Sequence, residues 1–397
     1  MKDIMVNQKE ACKHREICGG CAYQDIDYKD QLIEKDKIIR AIFEKHSINM
    51  DIYEGLIPAK IIYGYRNKME YTFGDMEKGG ELTLGMHKKK HFMSIVTTSE
   101  CQIVPNDFNK ILTATLKFCR ENNYKFYHKK THEGLLRNLI IRHGVNTKEL
   151  LVNIVTSSEE GFDEEGFKLL IKNLTLENKL VGIIRTFNDS LADAVINQGY
   201  KILYGRDYYI EKILGLKFKI RPFSFFQTNI KAIERFYSDV LDILPDVDDD
   251  IVYDLYSGTG IISQLISKKC KEVFGVELIE DAVKDAIENA NENQISNCHF
   301  IAGDVLKELD KLDKKPDMIA CDPPRAGIHN KAVEKIALFG IDRVLYISCN
   351  PKTLGINLEQ FREFGYEPTL IRCYDNFPFT KHVECIVLMS RLKSILA

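Results

Sequence analysis

One cysteine, Cys349, follows an apolar run at residues 344–347 that has the composition of a buried β-strand. The run leads into Ser348-Cys349-Asn350-Pro351, and Asn-Pro is a turn signal that ends a strand. Open α/β sheets bind ligands beyond the carboxyl ends of their strands, so Cys349 is expected at a ligand-binding edge. A thiolate there could act as a nucleophile. The alternative is a buried thiol that only packs, as most free cysteines do.

Two further predicted strands also end in acidic residues. Residues 317–321 have a strand-like composition and are followed by Asp322 and two prolines. Residues 251–253 form another such run, which leads through Asp254 into a glycine turn at residues 258–260. The carboxyl ends of neighbouring parallel strands meet at one edge of a sheet. The three strand ends therefore predict one crevice that holds a thiol and several carboxylates.

The glycine turn and the acids after it indicate an adenosine-containing cofactor. Gly258 allows the backbone to approach a ligand closely, and Asp254 could orient the turn. Glu277 lies nineteen positions after Gly258, at a strand end where an acid can accept both hydroxyls of a ribose. Asp304, at a third strand end, could bind a polar edge of adenine. This pattern favours S-adenosylmethionine over NAD; the alternative is that these acids are solvated loop carboxylates.

Three cysteines near the N-terminus are closely spaced. Cys12, Cys18 and Cys21 have the spacing C-x5-C-x2-C, with two glycines between the second and third thiols. Glycines allow the backbone to turn so that several sulfur atoms face one point. This set fits either an iron–sulfur cluster or a zinc site, and Cys101 is the best candidate for the fourth ligand. Six other cysteines lie mostly in apolar contexts and are expected to pack: Cys119, Cys270, Cys298, Cys321, Cys373 and Cys385.

Composition and charge exclude several classes of protein. The 397 residues are 45% hydrophobic and 28% charged, which is ordinary for a globular protein. The net charge of −3 means that any nucleic-acid-binding surface must be local. The sequence has no run of about eighteen apolar residues that could span a membrane, and its N-terminus lacks a signal core. We therefore expect a cytoplasmic protein. We also expect a monomer. Eleven unevenly spaced cysteines do not indicate a disulfide framework.

Changes in the sequence pattern divide the chain into three parts. Residues 1–47 carry the cysteine segment and a predicted helix over residues 24–46. Residues 48–214 read as short alternating strands and form a predicted sheet-rich, RNA-binding domain. Residues 215–397 alternate strands with helices, which predicts a doubly wound, mostly parallel α/β sheet of the Rossmann type.

The central part contains the most plausible RNA-facing residues. Residues 65–68 combine an aromatic residue with two basic residues, and a lysine run at residues 87–91 falls on a predicted hairpin. Arg137 and Arg142 bracket another predicted strand. Such groups suit phosphates and stacked single-stranded bases. The alternative is a solvated charged face.

Several motifs resemble those of the RNA 5-methyluridine methyltransferases and occur in the same order. They are Phe225-Phe226-Gln227-Thr228-Asn229, residues 254–260, residues 321–327, Ser348-Cys349-Asn350-Pro351 and His382-Val383-Glu384. The resemblance spans nearly the whole chain. It implies methylation of uracil C5 in RNA, with S-adenosylmethionine as the methyl donor.

The resemblance also implies roles for individual residues. Cys349 would add to C6 of uracil, and Glu384 would be the general base that removes the C5 proton. The residues that would hold the cofactor are Gln227, Tyr256, Glu277 and Asp322.

The cysteine segment with Cys101 is similar to the 23S ribosomal RNA branch of the family, which carries a [4Fe–4S] cluster. We therefore favour 23S RNA as the substrate, with the T-loop uridine of transfer RNA as the alternative. Two departures from the family pattern stand out. Eleven residues precede Cys12, so the TRAM domain of larger members is not expected. Phe379 and Lys381 stand in a segment where the family usually has Asp-x-Phe-Pro-His-Thr before His-Val-Glu.

Two other functions explain part of the pattern. Asp322-Pro323-Pro324 also suits an amino-methyltransferase, but those enzymes need an aromatic residue next, and Arg325 stands there. A non-enzymatic, zinc-binding RNA module would explain the clustered cysteines. It would not explain the residues expected to bind adenosine.

Overall fold

The structure is a computed structural model that describes residues 10–192, 194–244, 247–312 and 314–392. The first nine residues of the predicted segment 1–47 and the last five of the predicted domain 215–397 therefore lie outside the described residues.

Two sheets and their flanking helices make up most of the fold. The helices are α1 (Tyr28–Lys45), α2 (Asn106–Glu121), α3 (Glu164–Lys172), α4 (Ile230–Ile243), α5 (Ile261–Ile266), α6 (Glu280–Glu292), α7 (Val305–Glu308), α8 (Asn330–Leu338) and α9 (Pro351–Glu363). The first ten strands are β1 (Tyr53–Ile57), β2 (Lys68–Asp75), β3 (Leu82–Lys88), β4 (His91–Thr97), β5 (Leu136–Gly144), β6 (Glu149–Thr156), β7 (Lys179–Phe187), β8 (Tyr200–Gly205), β9 (Tyr209–Ile213) and β10 (Leu216–Ile220). The others are β11 (Val247–Leu255), β12 (Cys270–Glu277), β13 (Cys298–Ala302), β14 (Met318–Cys321), β15 (Arg343–Ser348), β16 (Tyr366–Tyr374) and β17 (Glu384–Arg391).

The first sheet is mostly antiparallel and has the strand order β4-β3-β2-β5-β6-β7-β8. The helices α2 and α3 lie against it, and Phe108 of α2 and Phe167 of α3 are fully buried. The sequence pattern predicted strands at the positions of β2, β3, β5 and β6, and the hairpins β2–β3 and β3–β4 are confirmed.

The second sheet has eight strands in the order β1-β16-β17-β15-β14-β11-β12-β13. Five neighbouring strands run parallel to one another: β15, β14, β11, β12 and β13. The strand β17 runs antiparallel to both of its neighbours, β15 and β16. Along β15, Val344 and Tyr346 face one core while Leu345 and Ile347 face the other. Burial of both faces explains the continuous apolar run that predicted this strand. The predicted α/β fold of the Rossmann type is confirmed for this part of the chain.

Part of the N-terminal half belongs structurally to the second sheet. The strand β1 pairs with β16 of this sheet, with Tyr53 opposite Ile371. β1 falls within residues 48–214, which the sequence pattern assigns to the central domain. Helix α1 packs on the same side through Ile39 and Phe43, which are 1% and 0% exposed. The sequence pattern does not predict this pairing, because β1 and β16 are hundreds of residues apart in the chain. Within the described ranges, no helix is both long enough and apolar enough to cross a membrane.

Candidate active site

The residues singled out from strand ends lie in a row along one edge of the second sheet. The order of the strands fixes the order of the row, which runs Glu384, Cys349, Asp322, Tyr256, Glu277 and Asp304. Glu384 joins the row because β17 is antiparallel, so that its first residue lies at the edge where the parallel strands end. One half of the row thus carries the thiol and two acids, and the other half carries the glycine turn.

Strand pairing brings Cys349 and Glu384 together. In the register of β15 and β17, Ser348 lies opposite Cys385, so the next pair beyond the strand end is Cys349 and Glu384. Cys349 is half-buried and Glu384 is 8% exposed. Burial raises the pKa of Cys349 to about 11, and the carboxylates of Glu384 and Asp322 contribute to the rise. Burial also raises the pKa of Glu384 well above its usual range, and Asp322 adds to this effect.

Arg325 is the cation whose charge acts on both members of this pair. It lowers the pKa of Cys349 and of Glu384, against the effect of burial. Its guanidinium lies 2.9 Å from Nδ1 of His382, and its carbonyl oxygen accepts a hydrogen bond from the side chain of Asn350 at 3.0 Å. In the sequence, Arg325 belongs to the motif at residues 321–327 and counts against an amino-methyltransferase, but neither observation predicts its effect on these two groups. A positive charge here favours the ionised thiol and the ionised acid together.

Tyr237 also lies near these acids, although no sequence motif points to it. Its side chain is 3% exposed and forms a hydrogen bond with the side chain of Gln227. Burial raises its pKa well above the usual value, and the charges of Asp322, Glu384 and Asp254 add to the rise. From the sequence alone, Tyr237 is one member of the apolar stripe of α4. Only the fold shows that its hydroxyl is close to three acids.

The glycine turn has the geometry of a cofactor-binding loop. Tyr256 has a positive φ of 66°, and its backbone N–H donates to Val276 at 2.9 Å. Glu277 accepts hydrogen bonds from the N–H groups of Gly258 at 3.0 Å and Ile279 at 2.9 Å. A carboxylate has further lone pairs, which remain available for two ribose hydroxyls. A Cβ atom at Gly258 would meet nothing within 4 Å, so the turn borders open space.

The remaining acids hold or flank this turn. Asp254 is fully buried and accepts a hydrogen bond from the Ser263 hydroxyl at 2.5 Å. Burial raises the pKa of Asp254 and of Asp322 to about 7. Asp304 is exposed at the N-cap of α7, and its charge raises the pKa of Tyr256 together with burial. These groups fit the adenosine end of S-adenosylmethionine.

Gln227 reaches the site from the segment before α4. The first sheet helps to hold this segment, since the side-chain amide of Asn67 donates to the Gln227 carbonyl at 3.1 Å and its backbone N–H donates to the Thr228 carbonyl at 2.9 Å. Asn229 caps α4 and also donates to the carbonyl of Asn376 at 2.7 Å. The site is therefore assembled from both halves of the chain.

The four cysteines proposed as metal ligands line one cavity of about 110 Å³. Cys12, Cys18, Cys21 and Cys101 contribute to its wall, and burial raises the pKa of Cys21 to about 11 and of Cys101 to about 12. Four sulfur donors suit an iron–sulfur cluster. Among the residues that the structure describes, however, no group of three or more Cys, His, Asp or Glu side chains is arranged so that it could hold a metal ion.

Some residues expected to face RNA are structural instead. The guanidinium of Arg137 is buried and donates to the carbonyls of Asn188, Ser190 and Ala192. Arg142 is 3% exposed and donates to the Ser224 carbonyl at 2.9 Å. The prediction that these two arginines face RNA is therefore wrong, because buried backbone carbonyls need donors and long arginine side chains supply them.

The lysine-rich hairpin lies on the surface, as predicted. Lys90 and His91 are exposed at the tip of β3–β4, and Phe92 is 73% exposed beside them. The cysteine segment pairs with this hairpin, since the N–H of Gly19 donates to the His87 carbonyl and the N–H of Lys89 donates to the Ile17 carbonyl, both at 2.8 Å.

Known proteins resemble this chain over most of its length. A model of the family described as tRNA (Uracil-5-)-methyltransferase matches residues 191–392. An uncharacterised RNA methyltransferase of Clostridium tetani is 45% identical over 98% of this chain and 86% of its own length. Another, from Bacteroides thetaiotaomicron, is 31% identical over 95% of this chain and 87% of its own length.

One solved structure shares the fold over both sheets. It is the Pyrococcus abyssi tRNA (uracil-54, C5)-methyltransferase in complex with S-adenosyl-L-homocysteine, which has a TM-score of 0.77. The two proteins are 24% identical, and the match covers 94% of this chain and 84% of the other. The chain therefore belongs to the RNA (uracil-5-)-methyltransferase family of S-adenosylmethionine-dependent enzymes.

Proposed function

We propose that this protein methylates C5 of a uridine through a covalent bond between Cys349 and C6 of the base. The proposal rests on the register of β15 and β17, in which Ser348 pairs with Cys385 and the next residues along the two chains are Cys349 and Glu384. Asp322 lies on the next strand, between this pair and the glycine turn. A thiol, a carboxylate and a donor-binding turn are thus neighbours along one edge.

The first chemical step needs the thiolate of Cys349. C5 of uracil is a poor nucleophile, and addition of the thiolate at C6 moves the electrons of the C5–C6 double bond onto C5 and the adjacent carbonyl. S-adenosylmethionine, when bound, would supply the methyl group as an electrophile. The positive charge of Arg325 favours ionisation of the thiol. Asp322 lies close enough for its charge to act on both Cys349 and Tyr237.

The second step needs a base at C5. After methyl transfer, C5 still carries its proton, and Glu384 would accept it. The electrons of the C5–H bond then re-form the C5–C6 double bond, and the bond between C6 and the Cys349 sulfur breaks. The raised pKa of Glu384 makes its ionised form a stronger proton acceptor than an exposed carboxylate. The target base must leave its stack to reach this buried pair.

Two substitutions test the assigned roles. Cys349→Ala should abolish formation of 5-methyluridine, with Cys298→Ala as a matched control because Cys298 is also half-buried but lies on β13. Glu384→Gln should allow methyl transfer but not release, so a protein–RNA adduct should accumulate on denaturing gels. Normal turnover by Glu384→Gln, or residual methylation by Cys349→Ala, would contradict the mechanism.

We favour 23S ribosomal RNA as the substrate. The support is the cavity lined by four cysteines beside the exposed basic hairpin, because the cysteine segment resembles the ribosomal RNA branch. Transfer RNA is the second candidate, since the structural neighbour from Pyrococcus abyssi is a tRNA (uracil-54, C5)-methyltransferase. Mapping 5-methyluridine in 23S and transfer RNA from a deletion strain distinguishes them. Loss of the modified nucleoside from transfer RNA alone would refute the ribosomal assignment.

We also propose that Cys12, Cys18, Cys21 and Cys101 bind a [4Fe–4S] cluster. They line one cavity together with Arg15 and Arg66, and positive charge favours thiolates. A cluster would hold the cysteine segment against the hairpin β3–β4 and has no part in the methylation chemistry. Protein purified without oxygen should be brown and absorb at about 400 nm. Cys21→Ser should lose this absorption and Cys298→Ser should keep it, whereas a colourless protein that contains zinc would refute the cluster.

A further inference from the structure

Helix α1 carries a buried polar face that its sequence does not predict. Gln31 and Lys35 are 0% and 2% exposed, and Tyr28 is 5% exposed. The spacing of these residues places them on one side of the helix. Buried polar groups are retained where they have partners, so the partners of this face indicate its purpose.

Lys35 uses its ammonium group to hold the loop between β16 and β17. Nζ lies 2.6 Å from Oδ1 of Asp375 and donates to the carbonyls of Phe377 and His382, both at 3.2 Å. The side chains of Lys35 and Asp375 are 1% and 0% exposed. All three donors of the ammonium therefore bind one short loop, at its beginning, its middle and its end.

Gln31 fastens the same loop to the cysteine segment. Its Oε1 accepts the backbone N–H of Phe379 at 2.9 Å, and its amide nitrogen donates to the carbonyls of Tyr23 and Ile26 at 3.1 and 2.7 Å. The Phe379 carbonyl in turn accepts the N–H groups of Ala22 at 2.9 Å and Tyr23 at 3.0 Å. Phe379 has a positive φ of 66°, so this backbone geometry is held by its surroundings.

The loop that these residues hold ends at the proposed catalytic base. Strand β17 begins at Glu384, two residues after His382. A general base must lie within hydrogen-bonding distance of the proton it removes, and a small misplacement greatly reduces the rate. A buried ion pair is a weak source of net stability compared with apolar packing, so its use here points to the fixing of a geometry.

We propose that Lys35 and Gln31 are positioning residues that fix the loop 375–383 and thereby the carboxylate of Glu384. This inference rests on the proposed role of Glu384 as the base that removes the C5 proton. Both act through the loop: Lys35 binds the Asp375 carboxylate and two backbone carbonyls, and Gln31 binds the backbone N–H of Phe379.

The test is Lys35→Met, with Lys37→Met as a matched control because Lys37 is exposed on the same helix. In Lys35→Met, kcat should fall on the order of 10- to 100-fold while KM for RNA stays within about twofold. The covalent protein–RNA adduct should accumulate, because its breakdown waits for proton removal. Lys37→Met should behave as the wild type. Equal behaviour of the two variants would refute the inference, and so would a fall in kcat without accumulation of adduct.

Gln31→Met is a second variant, and it leaves no buried charge unpaired. If Lys35→Met does not fold, the fall in kcat and the accumulation of adduct are measured in Gln31→Met instead. Glu384→Gln is measured in parallel. Its normal turnover would overturn the assigned base and this inference with it. Accumulation of adduct in Glu384→Gln, but in neither Gln31→Met nor Lys35→Met, would overturn the positioning role alone. Combining Lys35→Met with Glu384→Gln should lower kcat little beyond Glu384→Gln, because the base is already absent.

Discussion

Alkylation of Cys349 should be slow near neutral pH and should accelerate steadily as the pH rises. Burial raises the pKa of this thiol to about 11, with Glu384 and Asp322 adding to the rise and Arg325 opposing it. At pH 8 the thiolate fraction in the free protein is then about one in a thousand. Iodoacetamide reacts with the thiolate, so the rate constant should rise about tenfold per pH unit between about pH 7 and pH 10.

The assay follows the peptide that contains Cys349 by mass spectrometry after timed exposure to iodoacetamide, with Cys349→Ser to confirm the peptide. Asp322→Asn should shift the pH profile to lower pH, because it removes a negative charge that raises the pKa of the thiol. Arg325→Gln should shift it to higher pH, because it removes the opposing positive charge. A plateau below about pH 9 that neither substitution moves would refute the reasoning, since burial and these charges would then not control the proton.

Two further predictions concern stability. Phe43→Ala should lower the free energy of unfolding by about 3–5 kcal/mol in urea titrations, because this fully buried ring packs edge-on against Tyr53 and joins α1 to the second sheet; a loss below about 1 kcal/mol would contradict that packing. Burial raises the pKa of Asp254 to about 7 in the folded protein, so the folded state holds this proton more tightly than the unfolded state does. The free energy of unfolding should therefore fall as the pH rises from about 4 to about 7. Asp254→Asn cannot ionise, so its stability relative to the wild type should increase over that range in thermal melts, and a constant difference would contradict the assignment.

The sequence predicted those parts of the site that depend on local patterns. Cys349, Asp322 and Glu277 each follow an apolar run, and a run of this kind forms a strand whose end lies at the binding edge of the sheet. The prediction needed no knowledge of which strands are neighbours. Motif resemblance then added Glu384, whose place at this edge depends on the reversed direction of β17.

The parts that were missed depend on contacts between distant segments. Lys35 looked like one charged residue on the solvated face of a helix, and its partner Asp375 is 340 residues away. Tyr237 belongs to the apolar stripe of α4, so the sequence pattern predicts a core residue. Its hydroxyl lies near acids of other strands only because the chain folds. The strand β1 looked like part of the central domain, since a short edge strand carries no local sign of the sheet that it joins.

The antiparallel β17 sets a limit on how this enzyme can vary. The thiol and the acid lie at the ends of two adjacent strands that are joined by main-chain hydrogen bonds, so the register of β15 and β17 sets their separation. Displacement of β17 by a single residue would have a different result, because alternate side chains point to opposite faces. Val383 or Cys385 would then stand across from the thiol, and the acid would turn towards the other side of the sheet. Length changes within this strand, or in the loop 375–383 that leads into it, should therefore be rare among active homologues.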